Sequence, residues 1–182
     1  METKKKQTES SEARCGPIRA DLFNLYHACM KNAYSLSDEA YLLLEHGHYP
    51  RAFFLALTAY EEIGKAQLTA DYITDCVSEE EFERAFKDHD IKIAYNQRYI
   101  SISQITKGDA TLEYDLKEAK DFIKARMQSL YVSKEASSPQ LPSDIITKEV
   151  ATEMIDDLIE ELGSIEHAEW LNQRIGSKGL FK

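Results

Sequence analysis

The chain has 182 residues, 43% of them apolar and 10% aromatic, with 22 basic against 32 acidic side chains and a formal charge of −10. That length suits one core, and the composition excludes wholesale disorder. Seven glycines and four prolines are too few for a turn-rich all-β fold, and the acidic balance excludes a surface that coats nucleic acid throughout.

Residues 1–16 are polar and aperiodic and predict a disordered tail, leaving 17–182 as a single helical domain. From Pro17 the pattern is helical. Leu22, Leu25, Tyr26, Cys29, Ala33, Leu36, Ala40, Leu43 and Leu44 recur at three- and four-residue intervals and form one apolar stripe, which Gly47 ends. Pro50 opens a second helix in which Phe53, Phe54, Leu57, Tyr60, Ile63 and Leu68 face inward. Its small residues Ala52, Ala56, Ala59 and Gly64 allow a neighbouring helix to approach closely. Ser78 and Glu81 have capping-box spacing and start a third helix, expected to run unbroken to about Ile105. A fourth is expected from about Thr111 to Tyr131, then a Ser/Pro-rich loop to Pro142, and a fifth that begins between Ser143 and Thr147 and continues to about Ile175. The expected architecture is all-α, an up-and-down bundle of about five helices.

Three cysteines without CxxC spacing give no disulfide framework or zinc knuckle; Cys29 and Cys76 read as small buried hydrophobes. No apolar run is long enough to span a membrane and no hydrophobic signal core precedes the first helix, so a cytoplasmic protein is expected. A di-metal bundle site needs two Glu-x-x-His pairs, and the single one, Glu45 with His48, is interrupted by Gly47. No metal or other cofactor is expected, and neither a nucleophile elbow nor a phosphate-cradling glycine loop is present.

The informative segment lies between Arg84 and Lys107, where five basic residues face two acidic ones, interleaved with Tyr95 and Tyr99. By contrast, 148–161 carries six acids and one lysine. Within the positive stretch Arg84 and His89 form an Arg-x4-His pair, and His89, Lys92 and Asn96 share a helix face. RNA cleavage without a metal needs such a set: a histidine to exchange a proton with the ribose 2′-hydroxyl or the leaving oxygen, and a cation for the charge that builds on the phosphoryl oxygens. Five residues along an ideal helix turn through roughly 140°. Arg84 and His89 therefore meet at one phosphate only if the helix breaks between them or two subunits pool their pairs. Read blandly, Arg84 pairs with Glu80, Glu81 or Asp88 and His89 is a surface residue. Glu61, Glu62 and Lys65 admit ordinary intrahelical ion pairs, or a carboxylate at Glu61 that orients His89 or Arg84 across the bundle.

The segments GHYPRAFFLALTAYEEIGKAQL, FKDHDIKI and ARMQSLYVS resemble the AbiV family of abortive-infection proteins, within the HEPN superfamily, over roughly residues 33–155. The resemblance implies a HEPN helical bundle, often dimeric, of the kind found in phage-defence and toxin systems. It also implies a metal-independent endoribonuclease whose Arg-x4-6-His motifs meet at the dimer interface, here Arg84 and His89. In active members the residue after the arginine is commonly polar, whereas here it is Ala85. On this reading Lys92, Glu61 and Asn96 support the catalytic pair, and Lys87 and Arg98 contact RNA. The competing expectation is a non-catalytic helical module that binds a phage protein, an antitoxin or a translation component.

Overall fold

The computed structural model describes residues 17–89, 91–93, 116–133 and 138–170. The expected tail at 1–16 lies outside them. Among the described residues the regular elements are helices: α1 (Pro17–Glu45), α2 (Tyr49–Ile73), α3 (Glu79–Lys87), α4 (Leu116–Gln128), α5 (Pro142–Ile145) and α6 (Lys148–Trp170). The β-type contact recorded there is an isolated antiparallel bridge between Ser133 and Gln140.

The core is a hairpin of α1 and α2 closed by α6. Gly47 turns the chain at φ 77°, and the Gly47 and His48 amides bond the Leu44 and Leu43 carbonyls at 3.0 and 2.9 Å, which satisfies the last carbonyls of α1. Tyr26, Cys29, Met30, Ala33 and Ala40 of α1 are buried against Ala52, Phe53, Ala56, Leu57 and Ala59 of α2. Ala33, Ala40, Ala52, Ala56 and Ala59 have no exposed surface, so the two backbones pack closely. Ala151, Ile155, Leu158 and Leu162 repeat at intervals of four and three and present one buried stripe of α6 to the hairpin. Fully burying Ile155 or Leu158 contributes about 1.5–3 kcal/mol each. Cys29 is buried as expected, while Cys76 is half-buried; both are free thiols.

Two differences from the five-helix outline matter. A four-residue helix, α5, precedes the last long helix, because Pro142 sets the first turn and the Asp144 carboxylate accepts from the Leu141 amide at 2.8 Å. The second difference is that the third predicted helix is not continuous. Ser78 and Glu81 form the expected capping box. However, α3 ends at Lys87, and Asp88 adopts extended backbone (φ −98°, ψ 120°) before helical backbone resumes at His89 and 91–93. Asp88 serves both sides of the break. Its amide bonds the Ala85 carbonyl at 3.2 Å, while its carboxylate and carbonyl accept from the Ile91 and Lys92 amides, each at 3.2 Å. Aspartate competes with the helix interior and favours the N-cap, and periodicity alone does not register that competition.

Candidate active site around Glu61 and His89

The α2 face that receives the His89–Ile93 segment begins with Glu61 and Gly64. A Cβ on Gly64 would lie 1.9 Å from the Lys92 carbonyl oxygen and 2.8 Å from its carbon. Only glycine lets these two backbones touch. One turn earlier, Glu61 projects its carboxylate into the same junction, and its side chain is 6% exposed.

Four nitrogen groups surround that carboxylate. His89 Nδ1 lies 2.9 Å from both Oε1 and Oε2. Lys92 Nζ is 3.0 Å from Oε1 and Arg126 Nη1, from α4, is 3.0 Å from Oε2, with Lys65 Nζ further off at 3.9 Å. Burial pushes the Glu61 carboxyl up, but the hydrogen bonds from His89 and Lys92 and the charge beside them outweigh it, and the carboxyl sits below its ordinary range. An ionised Glu61 only accepts, so His89 Nδ1 carries the proton and donates it, which leaves Nε2 as the ring's second, basic nitrogen. Nε2 has no hydrogen-bond partner among the described residues.

Those of the residues singled out in the sequence that are described have definite places. The His89 side chain is 59% exposed, so the ring is anchored at one edge and open at the other. Lys92 is buried and bonded to Glu61; it is a structural counter-charge and does not present its ammonium to solvent, contrary to the stripe of positive charge expected along that helix face. Arg84 stands exposed on α3 and makes no close ion pair among the described residues, although its charge, after the hydrogen bonds from Ser78, helps hold the Glu81 carboxyl below its ordinary range. Ala85 beside it is buried with Leu68 and Phe82, which explains an apolar residue after the arginine. Lys87 is exposed and bonds Glu83 at 3.0 Å. Asn96 and Arg98 lie outside the described residues. Glu62, in contrast to Glu61, makes the intrahelical pair with Lys65. The Cys29 thiol is pushed up to about 12 by burial and by the neighbouring Glu62.

Arg126 is the member of the cluster that sequence reasoning missed. Its guanidinium carbon lies 5.0 Å from the centroid of the Phe54 ring, its side chain is 21% exposed, and its Nε is buried without a partner among the described residues. The available signal was a cation one residue from Ala125 and four from Phe122, both of which pack on the core. A cleft of about 620 Å³ opens in front of the cluster, lined among others by Phe54, Lys87, His89, Arg126, Met127 and Tyr131. Among the described residues no group of three His, Cys, Asp or Glu side chains is placed to hold a metal ion, and no helix is long and apolar enough to cross a membrane.

A buried carboxylate that fixes one edge of a histidine, beside an arginine and an open cleft, is equipped to move protons next to an anion. No curated protein and no solved structure matches the chain. The AbiV family of HEPN domains matches residues 21–161, a span that contains α2, α3, α4 and the whole cluster around Glu61, and the chain belongs to that family.

Proposed function

We propose that the protein is a phage-defence endoribonuclease that cuts RNA without a metal, with His89 as its proton-transfer residue. The observation that carries this reading is the 2.9 Å contact between buried Glu61 and Nδ1 of the half-open His89 ring, which orients Nε2 as a base. In the reaction Nε2 takes the proton of a ribose 2′-hydroxyl as its oxygen attacks the adjoining phosphorus. The P–O5′ bond breaks, and the departing oxygen takes a proton from an acid, either water or the His89 of a second copy. The products are a 2′,3′-cyclic phosphate and a 5′-hydroxyl end. Glu61 is a positioning residue for the ring, and Lys92 holds Glu61 in place. Arg126 and Arg84 balance the charge that builds on the phosphoryl oxygens.

The break at Asp88 meets one of the two conditions for Arg84 and His89 to act at one phosphate; the other is a shared site in a homodimer. The break frees Arg84 from the helical register of His89, and the exposed guanidinium is available to a phosphate held by either copy. The exposed Arg84, with no described contact to His89, also favours the second reading, a helical module that binds an antitoxin, a phage protein or a translation component without chemistry.

End-labelled RNA incubated with the protein in EDTA separates the two. Wild type is expected to cut and leave cyclic-phosphate ends, with His89→Ala and Arg84→Ala each lowering the rate by at least about 100-fold while the fold is retained. Cleavage by His89→Ala at the wild-type rate would remove His89 from the chemistry. No cutting by a folded wild-type protein would leave the binding module as the reading.

A further inference from the structure

The cleft in front of His89 has one wall that proton transfer does not use. In the last turn of α4 and just beyond it the chain displays large apolar side chains to solvent: Met127 is 51% exposed and Tyr131 60%. Their backbone is nevertheless well held. The Leu130 and Tyr131 amides bond the Met127 carbonyl at 3.2 and 3.1 Å, and the hydroxyl of fully buried Ser129 bonds the Arg126 carbonyl at 2.6 Å. Two residues after Tyr131 the bridge between Ser133 and Gln140 pins the chain again. The result is an aromatic ring on a fixed mount, with no described ring or cation stacked on it, in the same cleft as His89 and Arg126.

The two halves of that cleft differ in chemistry. One side offers Tyr131 and Met127; the other is polar, with Arg126 and His89 sharing the buried Glu61 carboxylate, Lys87 bonded to Glu83, and the Asp88 carboxylate among them. An apolar helix laid there would cover these charged groups at a cost in desolvation. A nucleotide supplies a flat apolar face and a negative charge about one sugar apart. In a duplex that face is already stacked; in a single strand it is free to stack on an aromatic side chain. We infer that the cleft seats an unpaired nucleotide, its base against Tyr131 and Met127 and its phosphate toward Arg126 and His89. The RNA taken is then single-stranded at this position. The inference rests on the ribonuclease reading for the direction of the phosphate.

The test uses a fluorescein-labelled ten-nucleotide 2′-O-methyl RNA, which binds but has no free 2′-hydroxyl to react, as a single strand and as a blunt duplex. Wild type is expected to bind the single strand at least about tenfold more tightly than the duplex. Tyr131→Ala should weaken single-strand binding by about 5- to 150-fold, the range for one lost base–aromatic stack, with Tyr131→Phe close to wild type because the ring face is kept. The salt dependence of binding should be the same for wild type and Tyr131→Ala, since no phosphate contact is removed. Single-strand affinity unchanged in Tyr131→Ala, equal affinity for the duplex, or no binding of either probe by wild type would overturn the seat. So would a smaller assembly for Tyr131→Ala than for wild type, which would make the patch an interface between copies. Cleavage in EDTA tells this failure from the other. If wild type cuts RNA and Tyr131→Ala still binds normally, the seat is wrong and the ribonuclease reading stands. If single-strand binding depends on Tyr131 and nothing is cut, the seat stands and the ribonuclease reading falls.

Discussion

Replacing Gly64 by alanine tests whether the site depends on direct contact between two backbones. The new Cβ would lie 1.9 Å from the Lys92 carbonyl oxygen, where ordinary van der Waals contact begins at 3.4 Å, so the two segments must separate by 1.5 Å or shift sideways by a comparable distance. The obstacle is backbone, which has no rotamer to change. Overpacking of this kind costs about 1–3 kcal/mol. The gain in helix propensity on replacing glycine returns about 1 kcal/mol, so the net loss is at most about 2 kcal/mol. For a chain of this size that lowers the melting temperature by a few degrees, about 2–4 °C per kcal/mol. The effect on the site is larger than the effect on the fold. The 2.9 Å contacts from His89 to Glu61 do not survive a 1 Å displacement, and His89 loses the partner that fixes its tautomer, whereas Lys92 on its flexible four-carbon stem follows the carboxylate. Nitrogen-15 spectra of the imidazole rings, recorded beside thermal melts, read both effects. Gly64→Ala should be folded, with the His89 ring converted from one Nδ1-protonated form to a mixture of tautomers, and with RNA cleavage reduced by at least about tenfold. A variant as stable as wild type with the His89 ring signals unchanged would refute the argument.

Two further expectations concern carboxylates. Glu61→Gln keeps the shape but leaves buried Lys92 without its counter-charge, and should cost about 3 kcal/mol at pH 7, the low end for breaking a buried pair because the amide oxygen still accepts one bond. Because the Glu61 carboxyl lies lower in the folded than in the unfolded chain, its stabilisation is present above the unfolded value near 4.5 and is lost as pH falls through the folded value. Urea unfolding at pH 7 and again near pH 3 should therefore show the gap between wild type and Glu61→Gln shrinking; a constant gap would remove the charge argument. Glu161 on α6 is the opposite case. Burial and the adjacent Glu160 raise its carboxyl to about 7 from 4.5, so the folded state binds the extra proton and stability declines as pH rises between those values. Glu161→Gln should be more stable than wild type at pH 8 and nearly equal to it at pH 4, and equal stability at both pH values would show that Glu161 is not held protonated.

Much of this molecule was legible because its core follows simple periodicity. The α1 stripe through Tyr26, Cys29, Ala33 and Ala40, the turn at Gly47 and the capping box at Ser78 all depend on local spacing, and all are found where spacing puts them. Fold class and family were legible for the same reason. The break at Asp88 was not, since hydrophobic period continues across it from Phe82 and Ala85 to Ile93 while the hydrogen bonds do not. The site was legible only in part. Glu61 could be suspected from its place on a core-facing turn, but whether it met His89 or Arg84 depended on how the segment after α3 crosses α2. Arg126 is separated from Glu61 by 65 positions, and only tertiary packing brings the two to 3.0 Å.

Asp88 also determines which changes of length the chain tolerates between Arg84 and His89. If both residues sat on one continuous helix, adding a single residue between them would swing the arginine through about 100° and out of reach of its target. Here two separate attachments set their positions. His89 takes its register from Glu61 and from the glycine beneath Lys92, whereas Arg84 takes its own from Phe82 and Ala85 packed on Leu68. The extended residue between them takes up the difference, much as a joint lets two rigid arms be fitted independently. An arginine–histidine motif whose spacer varies from four to six residues needs such a joint, because the two side chains keep their places only if the added length is absorbed between them.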